Sequence, residues 1–448
     1  MLRLAATLSA AAALAAAAPA NLGHGPAIVS SRTSPYPMSQ HVLPLNRVQT
    51  GSGAISKRSA LYKLSSTAPA GTTHLISLFE GEEFATAITI DGESYDVIVD
   101  SGSSDTWLVQ KNFSCVDVDT SAAEPESECN FGKTFSVNSK TFTKIPNENF
   151  NIGYGDGEFL TGYLGTQDIT VAGITVKNQT MGVVNYAGWE GDGTTSGLMG
   201  LAFPGLTSAY GGTVPSEDGE TGHTQIQYSP IFTNMVKQGL SDNLFSLAIS
   251  RNLEGNSGYL AFGGLPPVTY TGSFVTTPIL ETKENGYNEG IDFYTIQIDG
   301  ITLGSSTDVL SSSGGSDVYY IVDSGTTLNY VPTPVATQIN AAFSPAATYN
   351  STVGGYVVQC SATAPKVGTK ISGQVLYLDP LDLMLPLGET VNGEEMCLTG
   401  IVDGGALSDD ELYILGDVFL KSLVAVYDVG KSQMAFAARA PYTSDDTY

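Results

Sequence analysis

The sequence predicts an all-β chain, mostly antiparallel, built as two lobes of one design with few short helices. Three observations predict it. An apolar run ending in Asp-Ser-Gly occurs twice, as Val97-Ile98-Val99-Asp100-Ser101-Gly102-Ser103 and as Tyr320-Ile321-Val322-Asp323-Ser324-Gly325-Thr326. Each copy follows a stretch, residues 84–92 and 293–300, that alternates apolar and polar residues with the period of a half-buried strand. The composition is that of a β-rich exported chain, with 50 glycines, only 14% charged residues and abundant Ser, Thr and Tyr. At 448 residues the chain can fill two sizeable cores.

The aspartate turns organise the rest. A β-branched run suits a buried strand, so Asp100 and Asp323 are placed where burial is nearly complete. Carboxylates are rarely put there without a partner. A single Asp-Ser-Gly is usually a surface turn. Two copies with matched apolar runs point instead to turns that face each other, each aspartate being the other's neighbour. Each half then carries a later apolar-apolar-Gly element, Leu198-Met199-Gly200 and Ile414-Leu415-Gly416. These lie 100 and 93 residues after their aspartates, as expected of a repeat.

These motifs resemble those of the pepsin-family aspartic proteases, most of all the secreted fungal members, over residues 84–437. The resemblance implies a bilobal acid-protease fold with Asp100 and Asp323 as the catalytic pair. It implies that Ser103 and Thr326 hydrogen-bond the outer carboxylate oxygens and that Gly102 and Gly325 let the turns approach. Ser101 and Ser324, where the family usually has threonine, would tie the turns together. The stretch Asn151-Ile152-Gly153-Tyr154-Gly155-Asp156-Gly157-Glu158 reads by itself as an ordinary exposed hairpin. In the family it is the mobile flap, with Tyr154 bonded to Trp107 and Gly155 and Asp156 at the substrate. The flap aspartate of some fungal relatives admits lysine just before the scissile bond. Glu158 stands where those relatives usually have serine. The implied chemistry needs no metal and no cofactor: one carboxylate takes a proton from water while the other acid protonates the peptide carbonyl.

The ends and the spacers complete the domain reading. Residues 1–20, with Arg3, an Ala/Leu-rich centre and Ala18-Pro19-Ala20, read as a signal peptide. Residues 21–58 read as a pro-segment closed by Lys57-Arg58, a site for a kexin-like processing protease; paired basic residues also occur by chance on surfaces. Five of the 19 Lys/Arg and none of the 45 Asp/Glu precede residue 59, leaving a net charge near −31 beyond it. A basic leader beside an acidic enzyme suggests a latch lying across the cleft at neutral pH and loosening in acid. An N-terminal lobe over 59–272 and a C-terminal lobe over 273–448 follow, the boundary marked by Gly263-Gly264 and Pro266-Pro267. No later run is long and apolar enough to span a membrane, and the polar residues 442–448 carry no lipid-anchor signal. The acidic balance argues against a nucleic-acid partner. The expected partners are protein or peptide substrates and the chain's own pro-segment, and the expected state is a secreted monomer; vacuolar delivery fits the same signals.

Four cysteines fall two per half, and pairing Cys115 with Cys129 and Cys360 with Cys397 is expected in a secreted chain and matches the family. Loops of these lengths are worth roughly 3 and 4 kcal/mol in the chain-entropy treatment. Asn112, Asn178 and Asn350 head glycosylation sequons. The acidic loop carrying Asp117, Asp119, Glu124, Glu126 and Glu128 reads as solvated. Residues 229–237 read as one short helix with Ser229 as N-cap and Pro230 at its first position. Residues 424–428 and 434–437 read as core strands with no direct chemistry.

Other activities have less to support them. Beyond residue 58 only His74 and His223 remain, neither in a metalloprotease or triad-like setting. A two-carboxylate glycosidase leaves the duplicated turn without a purpose. A catalytically inactive pepsin-fold binding or inhibitor protein is the alternative outside enzymology, although both aspartates, Tyr154 and Trp107 are in place. Peptide hydrolysis in acid, abolished by pepstatin, separates the three.

Overall fold

Four strands, β1 (His41–Gln49), β2 (Glu82–Ile90), β3 (Glu93–Asp100) and β4 (Thr106–Val116), frame the first aspartate turn. The computed structural model describes residues 34–49, 82–155, 157–219, 223–250, 256–281, 291–315, 318–351, 353–405 and 412–439. The signal peptide, Lys57-Arg58, Asp156 and residues 442–448 lie outside these. Strands dominate the described residues, with three α-helices: α1 (Ile231–Lys237), α2 (Thr333–Ala341) and α3 (Asp417–Leu420). No helix among them is long and apolar enough to cross a membrane.

Sequence periodicity sets the inner face of β2. Phe84, Ile88 and Ile90 are buried, while Ala87 and Thr89 are half-buried. The corresponding stretch in the second half, 293–300, is shorter as a strand than its pattern predicts. Only Thr295–Gln297 pairs there, with Tyr319–Val322. The chain then changes partner, and Gly300–Leu303 pairs with Val367–Ile371. Phe293, Tyr294, Ile296 and Ile298 are nonetheless all buried, so the apolar pattern records burial rather than one continuous ladder.

The repeat is visible in the pairing. β3 runs parallel to Gly197–Gly200, with Asp100 opposite Gly200, and β4 runs antiparallel to the same strand. In the second half Tyr319–Val322 runs parallel to Leu412–Leu415, which meets Asn329–Val331 antiparallel. In both halves a strand from far along the chain threads between the two arms of an aspartate turn. Glycine is needed where it threads. A Cβ on Gly200 would lie 2.5 Å from the Ser104 carbonyl carbon, and one on Gly416 would strike the Thr326 carbonyl oxygen.

One large sheet joins the halves. Phe245–Ile249 pairs antiparallel with Leu423–Asp428, and Thr271–Pro278 pairs with Gln433–Ala438. At the seam the Phe245 and Tyr427 rings stack at 4.4 Å, with Tyr294 edge-on to Tyr427 at 4.7 Å. β1 is an interior strand of this sheet, paired on one side with β2 and on the other with Asn256–Phe262. Leu45 is fully buried, and the Ser39 N–H donates to the Leu265 carbonyl at 2.9 Å. Residues 34–49 are therefore built into the sheet, although they precede Lys57-Arg58.

Both cysteine pairs form as expected, Cys115–Cys129 and Cys360–Cys397. The acidic loop between the first pair is largely exposed. Helix α1 starts later than its sequence suggests. Its N-cap is Pro230, not Ser229, and no side chain caps it. The Ser229 hydroxyl accepts instead from the Lys237 ammonium at 2.7 Å, so the cap was lost to a side-chain contact.

Candidate active site

The two aspartate turns meet at the seam. Asp100 is 2% and Asp323 1% exposed. The turn that follows each one folds back onto its carboxylate. The Gly102 N–H donates to Asp100 Oδ1 at 2.7 Å, and the Ser103 hydroxyl donates to Asp100 Oδ2. In the second copy the Gly325 N–H donates to Asp323 Oδ1 at 2.9 Å, and the Thr326 hydroxyl donates to Asp323 Oδ2 at 2.7 Å. The same offsets, two and three residues after the aspartate, do the same work in both turns.

Each carboxylate also lies against the other turn's glycine. A Cβ on Gly102 would lie 2.5 Å from Asp323 Oδ1, and one on Gly325 would strike Asp100 Oδ1. The Ser101 N–H donates to Ser324 Oγ at 3.1 Å and the Ser324 N–H to Ser101 Oγ at 2.9 Å. Each hydroxyl also donates a hydrogen bond across the seam, Ser101 to the Val322 carbonyl at 3.1 Å and Ser324 to the Val99 carbonyl at 2.9 Å. Four bonds thus fix the distance between the turns.

The two carboxyls face each other across the seam, each against the glycine of the opposite turn. Burial, then the charge of Asp323, holds the Asp100 carboxyl well above the usual carboxylate range, against the opposing bonds from Ser103 and Gly102. Burial also raises Asp323, opposed by its bonds from Thr326 and Gly325. Like charges in a desolvated site cannot both ionise cheaply, so the pair takes up a proton as a unit.

Over the pair lies the hairpin formed by Thr143–Gly153 and Phe159–Val171. The Tyr154 N–H donates to the Glu158 carbonyl at 2.8 Å, closing the tip. The fully buried Trp107 donates its indole N–H to the Tyr154 hydroxyl at 2.8 Å. An open cleft lies beneath, lined by Asp100, Asp323, Tyr154, Glu158, Trp189 and their neighbours. Gly155 sits in the tip, and Asp156 lies outside the described residues. Asn112 and Asn178 are exposed and Asn350 is half-buried.

Sequence reasoning missed several groups around the pair. The Tyr427 hydroxyl is 3.3 Å from Ser101 Oγ, so one of the two supposedly inert core strands touches the site. Asp417 is a third buried acid, held well above its usual range by burial and by the charges of Asp323, Glu83 and Asp100. Asp105 accepts from the Tyr228 hydroxyl and the Ser208 N–H behind Trp107, and burial pushes its carboxyl up to about 6. A polar tip inside an apolar run, as in Val424-Ala425-Val426-Tyr427, is the signal that could have found Tyr427.

The chain is similar to known proteins. A family model described as eukaryotic aspartyl protease matches residues 83–439. A probable aspartic-type endopeptidase of Aspergillus fumigatus is 45% identical over 91% of this chain and 88% of its own length. A cathepsin D of Dictyostelium discoideum is 31% identical over 82% of this chain and 86% of its own. The crystal structure of an aspartic proteinase from Irpex lacteus superposes with a TM-score of 0.62 at 22% identity, covering 82% of this chain and 96% of that one.

Proposed function

Since the chain belongs to the eukaryotic aspartyl proteases and is an aspartic-type endopeptidase, we propose that Asp100 and Asp323 share one proton and cut peptide bonds in acid by activating a water held between them. The ionised member of the pair takes a proton from that water as it attacks the peptide carbonyl carbon. The protonated member gives its proton to the carbonyl oxygen, and a tetrahedral gem-diol forms. The newly protonated carboxyl then gives its proton to the amide nitrogen while the ionised one takes a proton from a gem-diol hydroxyl, so the C–N bond breaks and both products leave. The pair returns with one proton, and no covalent intermediate with the protein forms.

The observation that carries this reading is the close approach of two buried carboxyls, each against the other turn's glycine and held by the N–H and hydroxyl of its own turn. Ser101 and Ser324 are positioning residues on this view, because they hold the two turns rather than the water. Tyr154 and Trp107 hold the hairpin over the cleft, where it excludes water from bound substrate. The test is hydrolysis of a peptide in mild to moderate acid, with pepstatin. Cutting that pepstatin abolishes supports the reading; cutting that it leaves untouched refutes it.

We further infer a secreted or vacuole-delivered zymogen: a signal over 1–20, a pro-segment over 21–58, and lobes over 59–272 and 273–448, with glycans at Asn112, Asn178 and Asn350. The position of β1 refines the pro-segment. Its described part, 34–49, pairs within the sheet between the lobes, so a cut after Arg58 severs the chain without breaking any β1 pairing. N-terminal sequencing and mass of the secreted protein test this: a chain beginning at Met1 would contradict it.

A further inference from the structure

Tyr427 enters the seam from the strand Leu423–Asp428 of the second half and is fully buried. Its ring stacks on Phe245 of the first half at 4.4 Å and meets Tyr294 edge-on at 4.7 Å, so it has no room to swing aside. Its hydroxyl lies 3.3 Å from Ser101 Oγ and has no other partner among the described residues.

The direction of this bond follows from what Ser101 already does. A serine hydroxyl has one O–H and two lone pairs. The Ser101 O–H donates to the Val322 carbonyl at 3.1 Å, and its oxygen accepts from the Ser324 N–H at 2.9 Å. One lone pair is left, so Tyr427 is the donor. Burial pushes the Tyr427 hydroxyl well above its ordinary value, so it keeps that proton in acid and at neutral pH alike. The second turn has no matching bond. The Ser324 hydroxyl accepts from the Ser101 N–H and donates to the Val99 carbonyl, with no third partner among the described residues. The ring that faces Tyr427 is a phenylalanine and carries no hydroxyl.

Serine leaves the hydroxyl at position 101 conformationally loose. Its side chain has no branch at Cβ and turns among three χ1 wells, whereas the branch of threonine narrows that choice. A Ser101 hydroxyl in another well loses Val322 and Ser324 together, which is half of the ties between the turns. We propose that Tyr427 is a positioning residue for the catalytic pair: its hydroxyl pins Ser101 in the rotamer that ties the two aspartate turns, supplying the constraint that a β-branched side chain would carry in itself. This deepens the catalytic reading above and rests on it. Tyr427 does not line the cleft, so it acts through Ser101 and not on the substrate.

The test is kcat and KM for one peptide in acid, per pepstatin-titrated site, in the wild type, Tyr427→Phe, Ser101→Thr and the double variant. Phenylalanine keeps the stacked ring and removes only the hydroxyl. Tyr427→Phe should lower kcat about fivefold to tenfold and leave KM within about twofold. In the Ser101→Thr background the same change should lower kcat by less than about twofold, because threonine holds its own rotamer. A Tyr427→Phe protein too unstable to titrate should regain folding and cutting in the double variant, and failure there overturns the proposal. So would a Tyr427→Phe enzyme with the wild-type kcat, a loss confined to KM, an equal kcat loss in both backgrounds, or a Ser101→Thr enzyme that cannot cut. Pepstatin-insensitive cutting by the wild type would instead overturn the catalytic reading, and the role of Tyr427 with it.

Discussion

Ser101 and Ser324 each donate a backbone N–H to the other's hydroxyl, at 3.1 and 2.9 Å, across the seam between the two halves of the chain. Both hydroxyls are fully engaged, since each also donates to a carbonyl on the opposite strand. The spacing of Asp100 and Asp323 is therefore inherited from a pair of serines one residue further on.

Ser324→Ala removes the bond to Val99 and leaves the buried Ser101 N–H without its acceptor. The expected cost is about 1–3 kcal/mol in urea unfolding, with kcat falling more than KM changes. Ser324→Thr keeps the hydroxyl and should behave like the wild type. Equal stability of the alanine variant and the wild type would show that the turns are held by something else.

Tyr154→Phe strips the acceptor from a Trp107 indole that is completely buried. The flap then loses its tie, and kcat/KM for a good peptide should drop about tenfold to a hundredfold. Steady-state kinetics in acid measures this. A variant that cuts normally would release Tyr154 from any part in closing the cleft.

Stability should be greatest in acid and fall as the pH rises. Burial raises the Asp105 carboxyl from an ordinary 3.8 to about 6. Below about pH 4 the group is protonated whether the chain is folded or not, and its contribution is fully present. Between about 4 and 6 the unfolded chain loses the proton first, so the folded state loses ground, by up to about 3 kcal/mol from this group. Thermal unfolding at pH 4, 5, 6 and 7 should show the fall, and Asp105→Asn, which keeps a carbonyl acceptor for Tyr228 and Ser208, should flatten it. A variant whose melting temperature follows the same pH curve as the wild type would assign the loss to other carboxyls.

The parts legible in the sequence were those that the duplication writes twice. The aspartate turns and their glycines recur at the same offsets, and the threading strands at Gly200 and Gly416 recur at similar ones, 100 and 93 residues on, so two weak signals became one strong one. The Trp107–Tyr154 contact came from family resemblance alone, since a lone Gly-Tyr-Gly hairpin carries no sign of what it covers. Pairings set by the fold were invisible. Nothing local in residues 41–49 says that they enter the sheet between β2 and Asn256–Phe262. The polar tip of Tyr427 in its apolar run signals a buried partner, but only the fold shows that the partner is Ser101. The Ser229 cap failed for a similar reason, because Lys237 competes for its hydroxyl.

The most direct measurement is the rate at which an Asp323→Asn protein hydrolyses a peptide in acid, beside a wild type of equal folded content. An amide in place of the carboxyl preserves shape but removes the shared proton, and the rate should fall by at least about a thousandfold. An Asp323→Asn enzyme that cuts at the wild-type rate would contradict the account.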